Sequence, residues 1–161
     1  MTFFIGTYEN KLDKKGRVSV PAPFRAMLAE SAFKGVVIFP SYRADALEAC
    51  SQEFLRELHQ SLSGSLDLFS EEQDDLATSI LAESHPLQID QDGRIVLPPD
   101  LLEHAGLTDR VAFVGMGDLF QIWHPDRLAE KKKEARERAR AKKLTLPLRK
   151  GRTSGPEEQQ S

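Results

Sequence analysis

The chain of 161 residues has little cysteine and no long apolar run. Its single cysteine, Cys50, permits no internal disulfide, and we expect a reducing, cytoplasmic location. No run of 18 apolar residues occurs, so the sequence predicts no membrane-spanning helix and no membrane partner. The first residues lack the basic leader and the long apolar region of a signal peptide.

The sequence also lacks the usual patterns of catalytic and metal sites. No Ser/His/Asp arrangement and no phosphate-binding loop is evident. None of the four histidines has a second His or a Cys at metal-ligand spacing. We therefore expect no enzyme activity, no catalytic residue, no metal, no cofactor and no small-molecule substrate. The histidines are His59, His85, His104 and His124.

The formal net charge of −3 hides a strong asymmetry along the chain. Residues 127–152 hold 12 Lys or Arg against 3 Glu, whereas residues 1–126 hold 10 Lys or Arg against 20 Asp or Glu. For a binding protein the distribution of charge matters more than its total. We expect the basic run to make auxiliary phosphate contacts or to keep its helix solvated.

An eleven-residue segment occurs twice, as hairpin 1 (residues 11–21) and hairpin 2 (residues 88–98), at an offset of 77 residues without a gap. Two copies are too few for a solenoid, so we interpret the chain as a duplicated half-domain. The identical positions are Asp13 and Asp90, Gly16 and Gly93, Arg17 and Arg94, and Pro21 and Pro98.

The repeated segment has the pattern of a tight turn followed by a strand. Asp13 can accept hydrogen bonds from the backbone that follows it and so start a turn. Gly16 supplies the positive φ that such a reversal needs. The residues after it alternate between apolar and polar, which predicts a half-buried strand. The corresponding turn-forming residues of hairpin 2 are Asp90 and Gly93.

Outside the hairpins the pattern predicts a first strand at Phe3–Tyr8 and a helix over residues 45–62. Asp45 would cap this helix, and Leu47 and Cys50 would lie on its apolar face, where Cys50 would be buried and inert. A second helix is predicted from Ser70 to about residue 83. The acidic side chains of this region, including Glu48, are interpreted as a solvated face. A last, charged helix runs from Arg127 to about residue 143, and disorder is expected from Thr145 onward.

Residues 12–25 closely resemble the first repeat of the MraZ family of bacterial transcriptional regulators. Asp90, Gly93, Arg94, Pro98 and Leu101 resemble the second Asp-x-x-x-Arg motif of that family. The resemblance implies an α+β fold, a duplicated AbrB-like swapped-hairpin β-barrel with two linking helices and a charged C-terminal helix. The expected regions are repeat 1 at 5–55, a helical linker at 56–83, repeat 2 at 84–127, and the basic helix and disordered tail at 128–161.

The resemblance further implies a sequence-specific DNA-binding regulator that represses the division and cell-wall gene cluster containing its own gene. Its partners would be double-stranded DNA with repeated promoter boxes and further copies of itself in a ring-like homo-oligomer at the nucleoid. A β-ribbon can enter the major groove, where arginine binds guanine and lysine binds phosphate. The expected DNA-binding residues are Lys14, Lys15, Arg17, Arg25 and Arg94.

Three other interpretations stay open at this point. The charged tip of hairpin 1 fits a solvated turn that is stiffened by an Asp13–Arg17 pair. An antitoxin-like or other protein-interaction module could have the same barrel, with the acidic helices as the binding surface. A small enzyme would need a pocket around an Asp–Arg pair, which the sequence does not indicate. Hairpin 2 carries Asp92 where hairpin 1 has Lys15, so we expect it to contact DNA less.

Overall fold

The computed structural model describes residues 3–65 and 70–142. It has an α+β fold with antiparallel sheets and, within those residues, five α-helices and one π-helical segment. The strands are β1 (Thr7–Lys11), β2 (Arg17–Ser19), β3 (Gly35–Pro40), β4 (Leu47–Cys50), β5 (His85–Gln88), β6 (Arg94–Val96), β7 (Arg110–Gly115) and β8 (Phe120–Trp123). The helices are α1 (Ala22–Leu28), α2 (Gln52–Ser65), α3 (Glu71–Leu76), α4 (Pro99–Ala105) and α5 (Pro125–Ala141), and the π-helical segment is Ala77–Ala82.

The strands of the two repeats pair with each other. β1 pairs with β7, β2 with β6, β3 with β5, and β4 with β8, and each of these pairs is antiparallel. The hydrogen-bonded order is β1-β7-β8-β4-β3-β5 in one six-stranded sheet and β2-β6 in a separate two-stranded ribbon. Neither repeat therefore contains its own complete sheet, and each supplies strands that the other needs.

One apolar core lies between the repeats and contains residues of both. Phe24 of α1 packs against Phe4 and Phe120, with ring centroids 5.3 and 4.8 Å away. Leu101 of α4 is fully buried in the same cluster. A half of about 45 residues is too small to bury a sufficient core alone, and sharing the core removes this limit.

The predicted helix over residues 45–62 is wrong at its start. Leu47–Cys50 is a strand between β3 and β8, and α2 begins only at Gln52. The spacing of Leu47 and Cys50 suits a helix, but all four residues of β4 are buried, so the strand is covered on both faces. Asp45 is not the helix cap. The Ser51 hydroxyl accepts a hydrogen bond from the Phe54 amide at 3.0 Å instead.

The first predicted strand, Phe3–Tyr8, is displaced toward the hairpin. The strand runs over Thr7–Lys11, and Phe4 joins only an isolated bridge to Gly117. Gly6 has a φ of +94°, which interrupts the extended backbone between the bridge and the strand. The strand therefore begins four residues later, and ends three residues later, than the apolar pattern suggests.

The interpretation of Glu48 as part of a solvated face is also wrong. Its side chain is only 4% exposed, on the outer side of β4. Gln121 Nε2 donates to both Glu48 carboxylate oxygens at 3.2 and 3.3 Å, and Arg43 Nη2 lies 3.5 Å from Oε2. A buried carboxylate needs such partners because leaving water is costly for a charge. The strand, rather than a helix, places Glu48 beside Gln121.

The region of α2 and α3 confirms several local predictions. Ser70 caps α3, because its hydroxyl accepts a hydrogen bond from the Gln73 amide at 3.0 Å. Cys50 is buried beneath these helices, and burial raises the pKa of its thiol to about 12, which leaves the thiol protonated and unreactive. Helices α2 and α3 and the π-helical segment pack over the outer face of β3 and β4, through Phe54, Leu58, Leu76 and Ile80.

The last described helix, α5, crosses a boundary between two compact units, residues 1–128 and 129–161. Leu128 is buried in the first unit with Trp123. In the second unit Glu134 and Arg138, four residues apart on the helix, form an ion pair at 3.9 Å. The disorder expected from Thr145 onward falls outside the described residues. None of the described helices has the length and apolar character needed to cross a membrane.

Candidate nucleic-acid interface

Hairpin 1 is closed by a network around Asp13. One carboxylate oxygen, Oδ1, accepts hydrogen bonds from the Lys15 and Arg17 amides at 2.9 and 2.8 Å. The other, Oδ2, accepts from Arg17 Nε at 2.6 Å. The sequence-predicted turn and the Asp13–Arg17 pair are therefore both present. Arg17 keeps 38% of its side chain exposed while it is held in this orientation.

Gly16 lies where hairpin 1 meets the second repeat. Its φ is +83°, and its carbonyl accepts a hydrogen bond from the Leu97 amide at 2.8 Å. A Cβ atom at this position would lie 2.8 Å from the Leu97 carbonyl oxygen, which is backbone and has little room to move. The position is therefore restricted to glycine by both conformation and space.

Hairpin 2 repeats the turn but pairs its arginine differently. Asp90 Oδ1 accepts hydrogen bonds from the Asp92 and Arg94 amides at 2.8 and 3.0 Å. Arg94 Nη2 donates to Asp92 Oδ2 at 3.0 Å, and its Nε lies 3.6 Å from Asp90 Oδ2. Arg94 thus faces two carboxylates, whereas Arg17 faces one.

The ribbon of β2 and β6 brings the two arginines onto one surface. Its register pairs Arg17 with Val96 and Ser19 with Arg94. The central pair of Val18 and Ile95 is buried, at 1% exposure each. Because side chains alternate between the faces of a strand, the two outer pairs point away from the core. We call this surface the ribbon face, formed by Arg17, Ser19, Arg94 and Val96.

The lysines of hairpin 1 extend the positive surface beside the ribbon face. Lys14 and Lys15 are exposed. Among the ion pairs of the described residues, neither lysine has a carboxylate partner. Both cations are thus available to an anionic ligand. The matching residues of hairpin 2, Gln91 and Asp92, add no positive charge.

Arg25 does not lie on the ribbon face. It is half-buried, and its guanidinium donates to the Val20 carbonyl. It also packs over Gly93, where a Cβ atom would meet Arg25 Nη1 at 2.7 Å. At the equivalent place in the other repeat, Leu102 Cδ1 lies 3.7 Å from such an atom on Gly16. The role of Arg25 in DNA binding stays a prediction. In the structure its side chain packs against hairpin 2 and supports it.

The structure brings together most of the residues predicted from sequence. Arg17 and Arg94 share one face, Lys14 and Lys15 flank it, and both turn aspartates and glycines hold the two tips. Sequence reasoning did not single out Ser19 and Val96, which complete the ribbon face. The alternation of apolar and polar residues in each repeat indicates that Ser19 and Val96 face away from the core. It does not indicate that β2 pairs with β6. Within residues 3–65 and 70–142 no cluster of His, Cys, Asp or Glu is arranged to hold a metal.

We expect the contribution of Asp13 to stability to disappear in acid. The hydrogen bond from the Arg17 amide, followed by the bond from its guanidinium, holds the pKa of Asp13 below its usual value of 3.8. A carboxyl whose folded-state pKa is depressed contributes stability above its unfolded-state pKa and loses it as the pH falls through the folded-state value. Urea unfolding at pH 7 and at about pH 3 should therefore show that the stability deficit of Asp13→Asn relative to wild type is smaller at the lower pH.

The same experiment with Asp118→Asn controls for the loss of a negative charge, because Asp118 lies in the β7–β8 turn outside both hairpins. A difference between wild type and Asp13→Asn that is equally large at both pH values would contradict the ionic role of this turn.

Several named proteins are similar to this chain over most of its length. The family model described as "MraZ protein, putative antitoxin-like" matches residues 3–46 and 80–148. The transcriptional regulator MraZ of Pelagibacter ubique is 47% identical over 143 residues, covering 89% of this chain and 92% of that protein. The protein of the same name from Gluconacetobacter diazotrophicus is 44% identical over 158 residues, covering 96% and 98%. That of Rickettsia bellii is 43% identical over 147 residues, covering 91% and 97%.

Proposed function

This chain belongs to the MraZ family of transcriptional regulators, which are not enzymes, and from that premise we propose that it binds double-stranded promoter DNA through its ribbon face. The observation that carries the proposal is the juxtaposition of Arg17 and Arg94 on one exposed face beside two unpaired lysines. A two-stranded ribbon is narrow enough to enter the major groove of B-DNA. The four cations supply the positive surface that the phosphates require.

The roles of the individual residues follow from their surroundings. The Arg17 guanidinium is oriented by a single carboxylate, so its remaining donors can bind guanine O6 and N7. Lys14 and Lys15 lie at the tip and would contact phosphates. Arg94 donates to Asp92, and the carboxylate beside it would repel phosphate. We therefore assign specificity chiefly to Arg17 and a smaller, orienting role to Arg94.

The architecture supports a finer description of the fold and of the assembly. The pairing of every strand of one repeat with a strand of the other is the arrangement expected for a duplicated AbrB-like swapped-hairpin barrel. We propose that copies of the chain form a ring that presents several ribbon faces to repeated promoter boxes. Linking several weak contacts raises the overall affinity without a new contact. The target would be the division and cell-wall gene cluster that contains the protein's own gene, at the nucleoid.

Fluorescence anisotropy tests the proposal. The full-length protein is titrated into a labelled duplex from upstream of its own gene and, separately, into a scrambled duplex of equal composition. Selective binding of the promoter supports a sequence-specific regulator. Equal binding of both duplexes, or none, would overturn the proposal and leave the hairpins as structural turns.

We expect the double substitution Lys14→Gln/Lys15→Gln to change the salt dependence of binding. Each phosphate contact contributes about 0.9 to the slope of log K against log salt. Removing both lysines should therefore lower the slope by about 2 per engaged hairpin, while the ratio of promoter to scrambled affinity stays nearly constant. Titrations at several salt concentrations measure the slope.

Arg56→Gln serves as the matched control, because Arg56 is exposed on α2 outside the hairpins. It removes one positive charge without touching the proposed interface. An unchanged slope in the lysine variant, or an equal change in the control, would show that the tip of hairpin 1 does not contact phosphate.

A further inference from the structure

The ribbon face has an approximate two-fold symmetry that is broken at one pair of positions. The repeat offset makes Arg17 equivalent to Arg94 and Ser19 equivalent to Val96. The hydrogen bond from the Leu97 amide to Gly16 O, at 2.8 Å, is matched by the bond from the Val20 amide to Gly93 O, at 2.9 Å. The backbone therefore obeys the symmetry, and both arginines obey it. Among the four residues of the ribbon face, only the equivalent pair of Ser19 and Val96 differs in residue type.

Val96 is an unusual residue for its place. Its side chain is 53% exposed, on a face that otherwise carries two arginines and a serine. It does not belong to any of the apolar clusters of the described residues, whereas its neighbours Ile95 and Leu97 lie in the core. The strand does not need an apolar side chain here for packing, because the opposite face of the ribbon is the buried one.

We propose that Val96 is a specificity-determining residue that contacts the C5-methyl group of a thymine in the major groove, an inference that rests on the proposed function. The methyl is the only apolar group on the major-groove edges of the bases, and apolar side chains recognise thymine through it. Val96 lies directly across the ribbon from Arg17. A thymine beside the guanine bound by Arg17 would be within its reach.

The broken symmetry also makes the two halves of the ribbon face chemically different. Ser19 offers a hydroxyl that can donate to or accept from a base edge, so its half tolerates any base. Val96 offers only an apolar surface, so its half favours thymine. A symmetric protein favours a palindromic site. The difference at Ser19 and Val96 therefore adds to the different pairing of Arg17 and Arg94, and both orient the chain on its site in one direction.

The test uses the promoter duplex in two forms, one with thymine and one with uracil, which lacks the methyl group. Burying one methyl is worth about 0.8 kcal/mol, so wild type should bind the uracil duplex about fourfold more weakly per engaged chain. Val96→Ser should bind the two duplexes equally. Ser19→Val should add an apolar contact on the other half and increase the difference in affinity between the thymine and uracil duplexes. Replacing thymines one at a time locates the methyl that Val96 contacts.

The outcomes separate this inference from the proposed function. Selective promoter binding with the same loss on the uracil duplex in wild type and Val96→Ser would overturn the role of Val96 and leave the regulator intact. Failure of wild type to prefer its promoter would overturn both. Circular dichroism checks that Val96→Ser is folded. The substitution Val96→Thr, which keeps one methyl, should retain most of the thymine preference.

Discussion

Arg17→Ala is expected to lower promoter affinity by about 5- to 150-fold per engaged hairpin while leaving binding to scrambled DNA much less affected. A bidentate arginine–guanine contact discriminates against the wrong base by about 1–3 kcal/mol, which corresponds to this range. Loss of the contact should therefore appear in the ratio of promoter to scrambled affinity. Anisotropy titrations on both duplexes, at one salt concentration, measure that ratio.

Arg94→Ala is the informative partner of this experiment. Arg94 donates to Asp92 and lies near Asp90, so its removal leaves two carboxylates without their cation. These charges repel every duplex alike, and we expect a similar loss of affinity for promoter and scrambled DNA. The promoter preference should fall much less than in Arg17→Ala. Equal losses of preference in the two variants would contradict the asymmetry of the hairpins.

Two further variants serve as controls for the comparison of Arg17→Ala with Arg94→Ala. Arg56→Ala removes an exposed arginine of α2 and should leave both affinities unchanged. Asp92→Lys gives hairpin 2 the charge that Lys15 gives hairpin 1 at the equivalent position. Because it removes the repelling carboxylate and adds a cation, this variant should bind all duplexes more tightly and increase the salt dependence.

Gly16→Ala is expected to cost the largest amount of folding free energy among single substitutions in the hairpins, about 2–5 kcal/mol. An alanine at a φ of +83° pays about 1–2 kcal/mol for the left-handed backbone. Its Cβ would also lie 2.8 Å from the Leu97 carbonyl oxygen, and such a clash costs about 1–3 kcal/mol more. Urea unfolding followed by circular dichroism measures the sum.

Gly117→Ala separates the two contributions. Gly117 has a φ of +90°, but a Cβ there would meet only the Phe3 side chain, at 3.5 Å, which is an ordinary contact. Gly117→Ala should therefore reduce the free energy of unfolding only by the backbone cost of about 1–2 kcal/mol. Equal losses in the two glycine variants would show that the Leu97 carbonyl moves away and that the contact between the repeats at Gly16 is loose.

The sequence by itself determined the features that depend on neighbouring residues. The turns of both hairpins formed as predicted, because Asp13 and Asp90 bind amides only two and four residues away. The helix predicted to start at Ser70 also does so, because the Ser70 hydroxyl accepts a hydrogen bond from the Gln73 amide. The two-copy motif also indicated the family correctly, since the motif is contiguous and its spacing is visible in the chain.

The error at residues 45–62 shows where local reasoning ends. Leu47, Glu48 and Cys50 fit an amphipathic helix by spacing, and no nearby residue contradicts it. The segment is a strand because β3 and β8 lie on either side of it and satisfy its backbone. β8 lies more than 70 residues away along the chain, so its position is a property of the tertiary fold.

The sequence likewise predicted one part of the candidate site, and only the tertiary structure decided the other part. Each hairpin could be predicted with its arginine, because the turn is set within five residues. The ribbon face could not, since it requires Arg17 to lie across from Val96 and Arg94 across from Ser19. Those partners are separated by more than 70 residues and come together because neither repeat can bury its apolar strands alone. Only the shared core brings the two separate hairpins together on one surface.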